Sequence, residues 1–305
     1  IIKNVDLEYI KNKYHIVDEP YNANNRFAYH GGEYDFSTGL DDAQLRIKLD
    51  EIFDRTKKMP HSVIKSLMYE TVLQNAIIDV SEKDWFVGIY NWGRPLNKYI
   101  SQWASIVKNQ VVNESEYNKK LDEEQRNMVD SGFTYGGLDY DHTIPDWDAL
   151  MDLGFKGLLE RIEKSYLTLK SSGQISEKQE TYYNAIKRTY KATVDFIDRL
   201  YKYALTKNGE KSAKTAECLK HLRDGAPTDF YEALQLIYIY FMLSESIENC
   251  QVRSLGYGLD ATLYPFYTND LRNKKYTKEQ IIEFLGYFLY QWQAIDNYWG
   301  QPFYL

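Results

Sequence analysis

The sequence has few of the features that mark metal enzymes, nucleotide-driven enzymes or membrane proteins. Only two of its 305 residues are cysteines, Cys218 and Cys250, which excludes a disulfide framework and favours a reducing, cytoplasmic location. The five histidines lack the spacing of a metal site, and neither a Walker loop nor a nucleophile elbow occurs. No apolar run approaches the roughly 18 residues of a membrane span, and the N-terminus shows no signal-peptide pattern. We therefore expect no zinc hydrolase, no nucleotide-driven enzyme and no membrane protein.

The charges are mildly acidic in sum and evenly spread. Formal net charge is −7, and the lysines and arginines are scattered among the acidic residues, which argues against nucleic acid as a partner. An apolar fraction of 44% is enough for a substantial core, and 28 tyrosines supply most of a high aromatic content. There are no internal repeats and no proline-rich linker. The chain starts at Ile1 and its last residues read as the start of a loop, so we expect it to be cut at both ends. We expect residues 1–305 to form one domain portion that is incomplete at the C-terminus.

Hydrophobic periodicity predicts a mostly helical protein with few strands. Capping boxes at Ser176–Gln179 and Thr277–Gln280 mark the starts of two helices, and Ser62 and Asp146 are expected to start two more. A short apolar run over 84–88 is predicted to be a strand. The predicted helices outside the central stretch cover 41–57, 62–79, 98–130, 146–171, 176–205, 214–223 and 277–292.

The stretch 227–271 is the one around which the chain is organised. Thr228 is expected to cap a helix in which 230–243 is apolar on almost every face, the pattern of a fully buried helix. Clustered polar residues follow over 244–251, and such groups need partners or a ligand when a buried helix leads into them. A turn with two glycines and an aromatic run complete the stretch. This order indicates an interior site.

The same motifs resemble those of the glycyl radical enzymes, the pyruvate formate-lyase family. The matching segments are EALQ at 232–235, SLG at 254–256, LYPFY at 263–267, and DHTIPDW at 141–147 followed by a helix with the family's glycine spacing. The resemblance runs from about Asp84 to the C-terminus. It implies the N-terminal portion of such an enzyme. The implied fold class is α/β but predominantly helical, in which a helical shell surrounds a ten-stranded α/β barrel.

The resemblance also places five residues in a substrate pocket. His142 is expected to orient or protonate a substrate hydroxyl, because neutral imidazole both donates and accepts hydrogen bonds. Gln251 and Val252 lie where the family lines its pocket, Tyr135 is expected on a pocket wall, and Phe303 where a further lining segment begins. Ordinary alternatives remain open: a satisfied histidine, a loop that serves buried backbone groups, and aromatic core packing.

The family's chemistry uses a glycyl radical near the C-terminus and a thiyl cysteine. The resemblance implies no bound cofactor, because a radical S-adenosylmethionine activating enzyme installs the radical after translation. Neither the cysteine loop nor the glycine loop of the family occurs here, and we interpret Cys218 and Cys250 as small buried thiols. The implied partners are a small-molecule substrate, the activating enzyme, the C-terminal remainder of the enzyme and a second copy in a homodimer. The implied setting is anaerobic metabolism.

Two classes of function follow from this sequence. The first is a radical lyase that cleaves a C–O, C–N or C–C bond in a small polar metabolite, with a dehydratase-like pocket favoured. Formate C-acetyltransferase is the alternative within the family, disfavoured by His142 and by the absence of any arginine between Arg126 and Arg161 that could hold a pyruvate-type carboxylate. The second class is a non-catalytic helical scaffold that binds a partner.

Overall fold

The computed structural model describes residues 36–79, 82–89, 121–131, 145–248 and 258–296, together with the single residues Glu8 and Tyr99. Within these ranges the protein is predominantly helical, as predicted. A short 3-10 turn over Phe36–Thr38 precedes the first helix. The helices are α1 (Asp42–Thr56), α2 (His61–Asn75), α3 (Glu123–Asp130), α4 (Trp147–Ser171), α5 (Glu177–Ala204), α6 (Glu210–Asp224), α7 (Phe230–Glu248), α8 (Leu259–Arg272) and α9 (Lys278–Asp296). None of these helices is long and apolar enough to cross a membrane.

Two short strands pair between α2 and α3. β1 (Ile78–Asp79) runs antiparallel to β2 (Gly88–Ile89), with Ile78 opposite Ile89. The predicted strand over 84–88 is therefore displaced, since the ladder begins at Gly88 where the prediction ended it. Its apolar residues before Gly88 are instead held by side chains from α7 and α9. A ten-stranded barrel is not visible in the described ranges, so the barrel stays a prediction.

Local capping chemistry sets the starts of α4, α5 and α9 where they were predicted. The Ser176 side chain caps α5 and exchanges hydrogen bonds with Gln179 in a capping box. Thr277 and Gln280 make the same exchange before α9. At the start of α4 the Asp146 carboxylate accepts the Ala149 N–H at 3.0 Å. Each of these signals lies within four residues of sequence, which is why the sequence alone reveals it.

The prediction for α2 was wrong at both ends. The helix begins at His61, with Pro60 at the capping position and no capping side chain, so Ser62 lies inside the first turn. It ends at Asn75 because the Arg199 guanidinium, from α5, binds the carbonyl oxygens of Leu73 and Ala76 at 2.9 and 2.6 Å. The chain after Asn75 then continues into β1.

α7 also departs from its prediction at each end. Asp229, not Thr228, caps it, since the Asp229 carboxylate accepts the Glu232 N–H at 2.8 Å. The helix continues to Glu248, so the polar residues after Leu243 extend it rather than ending it. The polar groups need not break the helix, because the Ser244 hydroxyl bonds carbonyl oxygens of its own preceding turn.

α7 lies at the centre of the core. Every side chain from Phe230 to Leu243 is buried except that of Tyr240, which confirms the predicted burial on nearly all faces. The helix packs against α6, α8, α9 and β2, while α5 packs against α2, α4 and α6. Asp260, in the first turn of α8, is exposed.

α4 is broken by a glycine in a conformation that other residues rarely adopt. Gly154 has φ 61° and ψ 178°, which separates 147–153 from the rest of the helix. A Cβ atom at this position would lie 2.3 Å from the carbonyl oxygen of Gly225, just before α7. The absence of a side chain therefore lets α4 approach the chain that leads into α7.

We expect Gly154→Ala to lower the free energy of unfolding by at least about 2 kcal/mol, because backbone strain of about 1–3 kcal/mol adds to the overlap with Gly225. Gly173→Ala is the matched control. Gly173 also has a positive φ of 67°, but a Cβ there meets nothing within 4 Å, so only the backbone strain applies. Urea unfolding of both variants measures the difference. Equal midpoints for Gly154→Ala and the wild type would contradict the close approach.

Candidate functional site

Three carboxylates are buried where α7 begins: Asp229, Glu232 and Asp270. Asp270 accepts the Phe230 N–H at 2.8 Å, and Glu232 accepts both the N–H and the hydroxyl of Thr228 at 2.7 and 2.8 Å. The Asp229 carboxylate, as the cap of the helix, accepts the Glu232 N–H. Carboxylates therefore satisfy the first N–H groups of α7, and their negative charge suits the positive end of the helix dipole.

Neighbouring side chains compensate this buried negative charge. Lys275 Nζ lies 2.7 Å from the Asp229 carboxylate, and the Tyr276 hydroxyl donates to it at 3.0 Å. Burial, and next the Asp229 charge, raise the pKa of the Tyr276 phenol above its ordinary value, so this hydroxyl remains a donor. On the other side, His221 Nδ1 lies 2.8 Å from a Glu232 carboxylate oxygen. Each carboxylate thus has a partner.

The arrangement is that of a structural cluster rather than a metal site. Among the described residues no group of histidine, cysteine and carboxylate side chains has the arrangement to hold a metal ion. Cys218 lies nearby on α6, where burial raises the pKa of its thiol well above the ordinary value. The burial of Cys218 confirms its interpretation as a small buried thiol.

The cluster predicts different outcomes for two substitutions of Asp270. Asp270→Ala leaves the Phe230 N–H unpaired, and we expect a loss of about 1–3 kcal/mol in the free energy of unfolding. Asp270→Asn keeps an oxygen acceptor and removes a buried charge, so we expect stability at neutral pH equal to or above that of the wild type.

The pH dependence of stability tests whether the buried Asp270 carboxylate destabilises the folded protein. Burial raises the pKa of Asp270 above its ordinary value of 3.8. Ionisation of Asp270 in the folded state therefore lowers the free energy of unfolding. This loss is absent below the pKa of the unfolded state and reaches its full size above the raised pKa of the folded state. In urea unfolding, the gain of Asp270→Asn over the wild type should grow as pH rises from about 4 through the raised pKa. A gain that shrinks over this range would contradict the assignment.

The segment just before β2 is held by two buried glutamines. Gln291, on α9, accepts the Phe86 N–H at 3.3 Å and donates to the Phe86 carbonyl at 2.9 Å. Gln235, on α7, accepts the Val87 N–H and donates to the Val87 carbonyl, both at 3.1 Å. The Tyr231 hydroxyl donates to the carbonyl of the residue before Phe86. Helix side chains therefore replace neighbouring strands at this point.

Three elements meet at the second half of α7. A Cβ atom at Gly88 would lie 2.8 Å from the Met242 side chain, so β2 touches α7 directly. The Trp147 ring, at the start of α4, stacks edge-on against Tyr240 with ring centroids 5.4 Å apart. The start of α4, β2 and the second half of α7 are thus neighbours.

All five predicted pocket residues lie outside the described residues: Tyr135, His142, Gln251, Val252 and Phe303. Cys250 lies outside them as well. The structure therefore leaves their roles as predictions. It also shows two buried glutamines for which the sequence analysis predicted no role, Gln235 and Gln291. The available signal for Gln235 was a glutamine within an otherwise apolar helix, since a buried amide needs partners.

A family model and two curated proteins show what this chain is similar to. A family model described as pyruvate formate lyase-like matches residues 94–299. The (2S)-3-sulfopropanediol dehydratase of Klebsiella oxytoca is 26% identical over 155 residues, which cover 47% of this chain and 18% of that protein. The 4-hydroxyphenylacetate decarboxylase glycyl radical subunit of Clostridioides difficile (strain CD196) is 24% identical over 181 residues, covering 55% of this chain and 20% of that protein. The chain thus spans about a fifth of these relatives.

The fold is shared with a solved glycyl radical enzyme. A crystal structure from Archaeoglobus fulgidus superposes with a TM-score of 0.62 at 19% sequence identity, covering 92% of this chain and 39% of that one. The helical arrangement described above is therefore that of part of such an enzyme. Since the family model covers more than half of the chain, this protein belongs to the pyruvate formate lyase-like family of glycyl radical enzymes.

Proposed function

We propose that the protein acts as part of a glycyl radical lyase that removes water from a small polar metabolite bearing neighbouring hydroxyl groups. The observation that carries this proposal is the similarity to (2S)-3-sulfopropanediol dehydratase over 155 residues. His142 supports it, because an imidazole can hold and protonate a departing hydroxyl. The decarboxylase relative is also a lyase, and its presence leaves C–C cleavage as the nearest alternative within the class.

The proposal includes a pocket shared by His142 and the segment holding Gln251 and Val252. Its support is the contact between Trp147 and Tyr240. His142 precedes Trp147 by five residues, a reach of at most roughly 18 Å, and Gln251 follows the end of α7 by three residues, at most roughly 11 Å. These reaches allow the two segments to meet near the second half of α7.

The proposed enzyme needs parts beyond the described residues. We propose that the thiyl cysteine and the glycyl loop are supplied outside this sequence, since the chain spans about a fifth of its curated relatives. The proposal also includes a radical S-adenosylmethionine activating enzyme as partner, a homodimer and an anaerobic cytoplasmic setting. All of these come from the family resemblance.

One experiment separates the function classes. The complete protein is expressed without oxygen together with an activating enzyme, examined by electron paramagnetic resonance, and given 1,2-diols, arylacetates, or pyruvate with coenzyme A. A radical doublet with aldehyde formed from a diol supports the proposal. Decarboxylation, or formate from pyruvate, would assign the protein to another activity of the family. A complete protein that never gains a radical would favour the non-catalytic scaffold.

The 305-residue chain treated alone in the same way is expected to show no glycyl radical doublet, because no glycine loop of the family type occurs in it. The complete protein, activated in parallel, controls for the activity of the activating enzyme. A doublet from any of the 17 glycines of this chain would show that the radical site has been misplaced.

A further inference from the structure

The segment Trp85–Val87 is hydrogen-bonded along both edges by side chains. Gln291 forms a ring of two hydrogen bonds with Phe86, and Gln235 forms the same ring with Val87. Two residues in an antiparallel ladder exchange hydrogen bonds in this same way. Each glutamine amide therefore takes the place of a residue on a neighbouring strand.

The two amides lie on opposite edges of the segment. In an extended chain, successive residues direct their N–H and C=O groups to opposite sides, so Phe86 faces Gln291 on α9 and Val87 faces Gln235 on α7. Both glutamines and both backbone residues are fully buried. A slip of the segment by one residue would leave these buried groups without matched partners, which opposes any other register.

The segment also follows α7 in one direction. The Trp85 carbonyl bonds Tyr231, Val87 bonds Gln235, and β2 then reaches Met242 through Gly88. Trp85, Val87 and Gly88 thus contact residues progressively further along α7, toward the end from which Gln251 and Val252 follow. The two glutamines fix how far along α7 the strand sits.

We propose that Gln235 and Gln291 are positioning residues that set β2 in register with α7 and thereby shape the substrate pocket at the end of that helix. The link to substrate rests on the proposed function; the register does not. Neither glutamine is assigned to contact substrate. Their role is to hold the strand against the helix that leads into the proposed substrate contacts.

Hydrogen exchange tests the register in the 305-residue chain. Q235E keeps the size of the side chain and its acceptor for the Val87 N–H, but replaces the donor that faces the Val87 carbonyl. We expect the amides of 84–89 to exchange faster, by roughly tenfold or more beyond any acceleration of the α5 amides, which report the global loss of stability. Q291E should do the same through Phe86, and serves alone should Q235E not fold.

Leu236→Ala is the matched control. Leu236 is the next residue of the same helix, equally buried, and lies outside the hydrogen bonds to the segment. It should speed the slowest amides of the whole chain together, without selecting 84–89. If the glutamine variants accelerate all protected amides equally, the two glutamines stabilise the core as a whole and do not set the register of 84–89. That result would overturn the proposal.

Kinetics of the complete, activated enzyme test the link to the pocket. We expect Q235E to raise KM for the diol substrate roughly tenfold, a change equivalent to the loss of one net hydrogen bond. The radical content should stay within about twofold of the wild type. Leu236→Ala should lower the active fraction and leave KM unchanged. An unchanged KM with selective exchange at 84–89 would overturn the link to the pocket. A wild-type enzyme that never gains a radical refutes the proposed function instead, while the exchange result stands.

Discussion

Replacement of Leu236 by aspartate is expected to lower the free energy of unfolding by about 3–5 kcal/mol. Leu236 lies in the middle of α7 and is fully buried. The helix around it is buried on nearly all sides, so rotation of the new side chain cannot bring the carboxylate to water. The protein must either bury an unpaired charge, protonate it, or open its central helix. Urea unfolding of the 305-residue chain at neutral pH measures the loss.

Two variants separate charge from the loss of shape. Leu236→Met keeps the volume and should cost less than about 1.5 kcal/mol. Ile282→Asp makes the same chemical change at an apolar residue of α9 that is 46% exposed, where the carboxylate stays hydrated and the effect should be small. An unfolding midpoint for Leu236→Asp equal to that of the wild type would contradict the burial of α7.

Local signals explain which parts of the fold could be predicted. The capping box of Ser176 and Gln179 joins groups three residues apart, so its pattern is complete in the sequence. The burial of α7 follows from the lack of a polar stripe along it. In contrast, the break at Gly154 depends on Gly225, and the end of α2 depends on Arg199, each far away in sequence. Such tertiary contacts have no local signature.

The same contrast applies to the functional residues. Gln235 was visible as part of a family motif, but its partner Val87 lies 148 residues away and gives no sign of the contact in its own sequence. The buried carboxylates behave alike: Asp229 and Asp270 each look like ordinary polar residues until α8 is placed beside the start of α7. The pocket residues were predicted from resemblance, not from periodicity, because a pocket is assembled from segments that meet only in the folded chain.

In the complete, activated enzyme, His142→Ala is expected to lower turnover of a diol substrate by roughly 10²–10⁴-fold, the range typical for loss of an acid–base group. A radical dehydratase must hold a hydroxyl while the neighbouring carbon loses its hydrogen atom, and fixed donors and acceptors supply that orientation. Radical installation does not use this side chain in the proposed mechanism. The radical signal in electron paramagnetic resonance should therefore stay near that of the wild type.

His142→Gln distinguishes orientation of the hydroxyl from its protonation. A glutamine amide both donates and accepts hydrogen bonds but does not act as a general acid. Turnover of His142→Gln well above that of His142→Ala would indicate that holding the hydroxyl is the larger contribution, whereas equal losses would indicate proton transfer. Turnover of His142→Ala within about twofold of the wild type, at equal radical content, would remove His142 from the site, since loss of an acid–base group costs at least about a hundredfold. The membership of the chain in the glycyl radical enzymes would stand even then, because it rests on the match over residues 94–299 and not on this histidine.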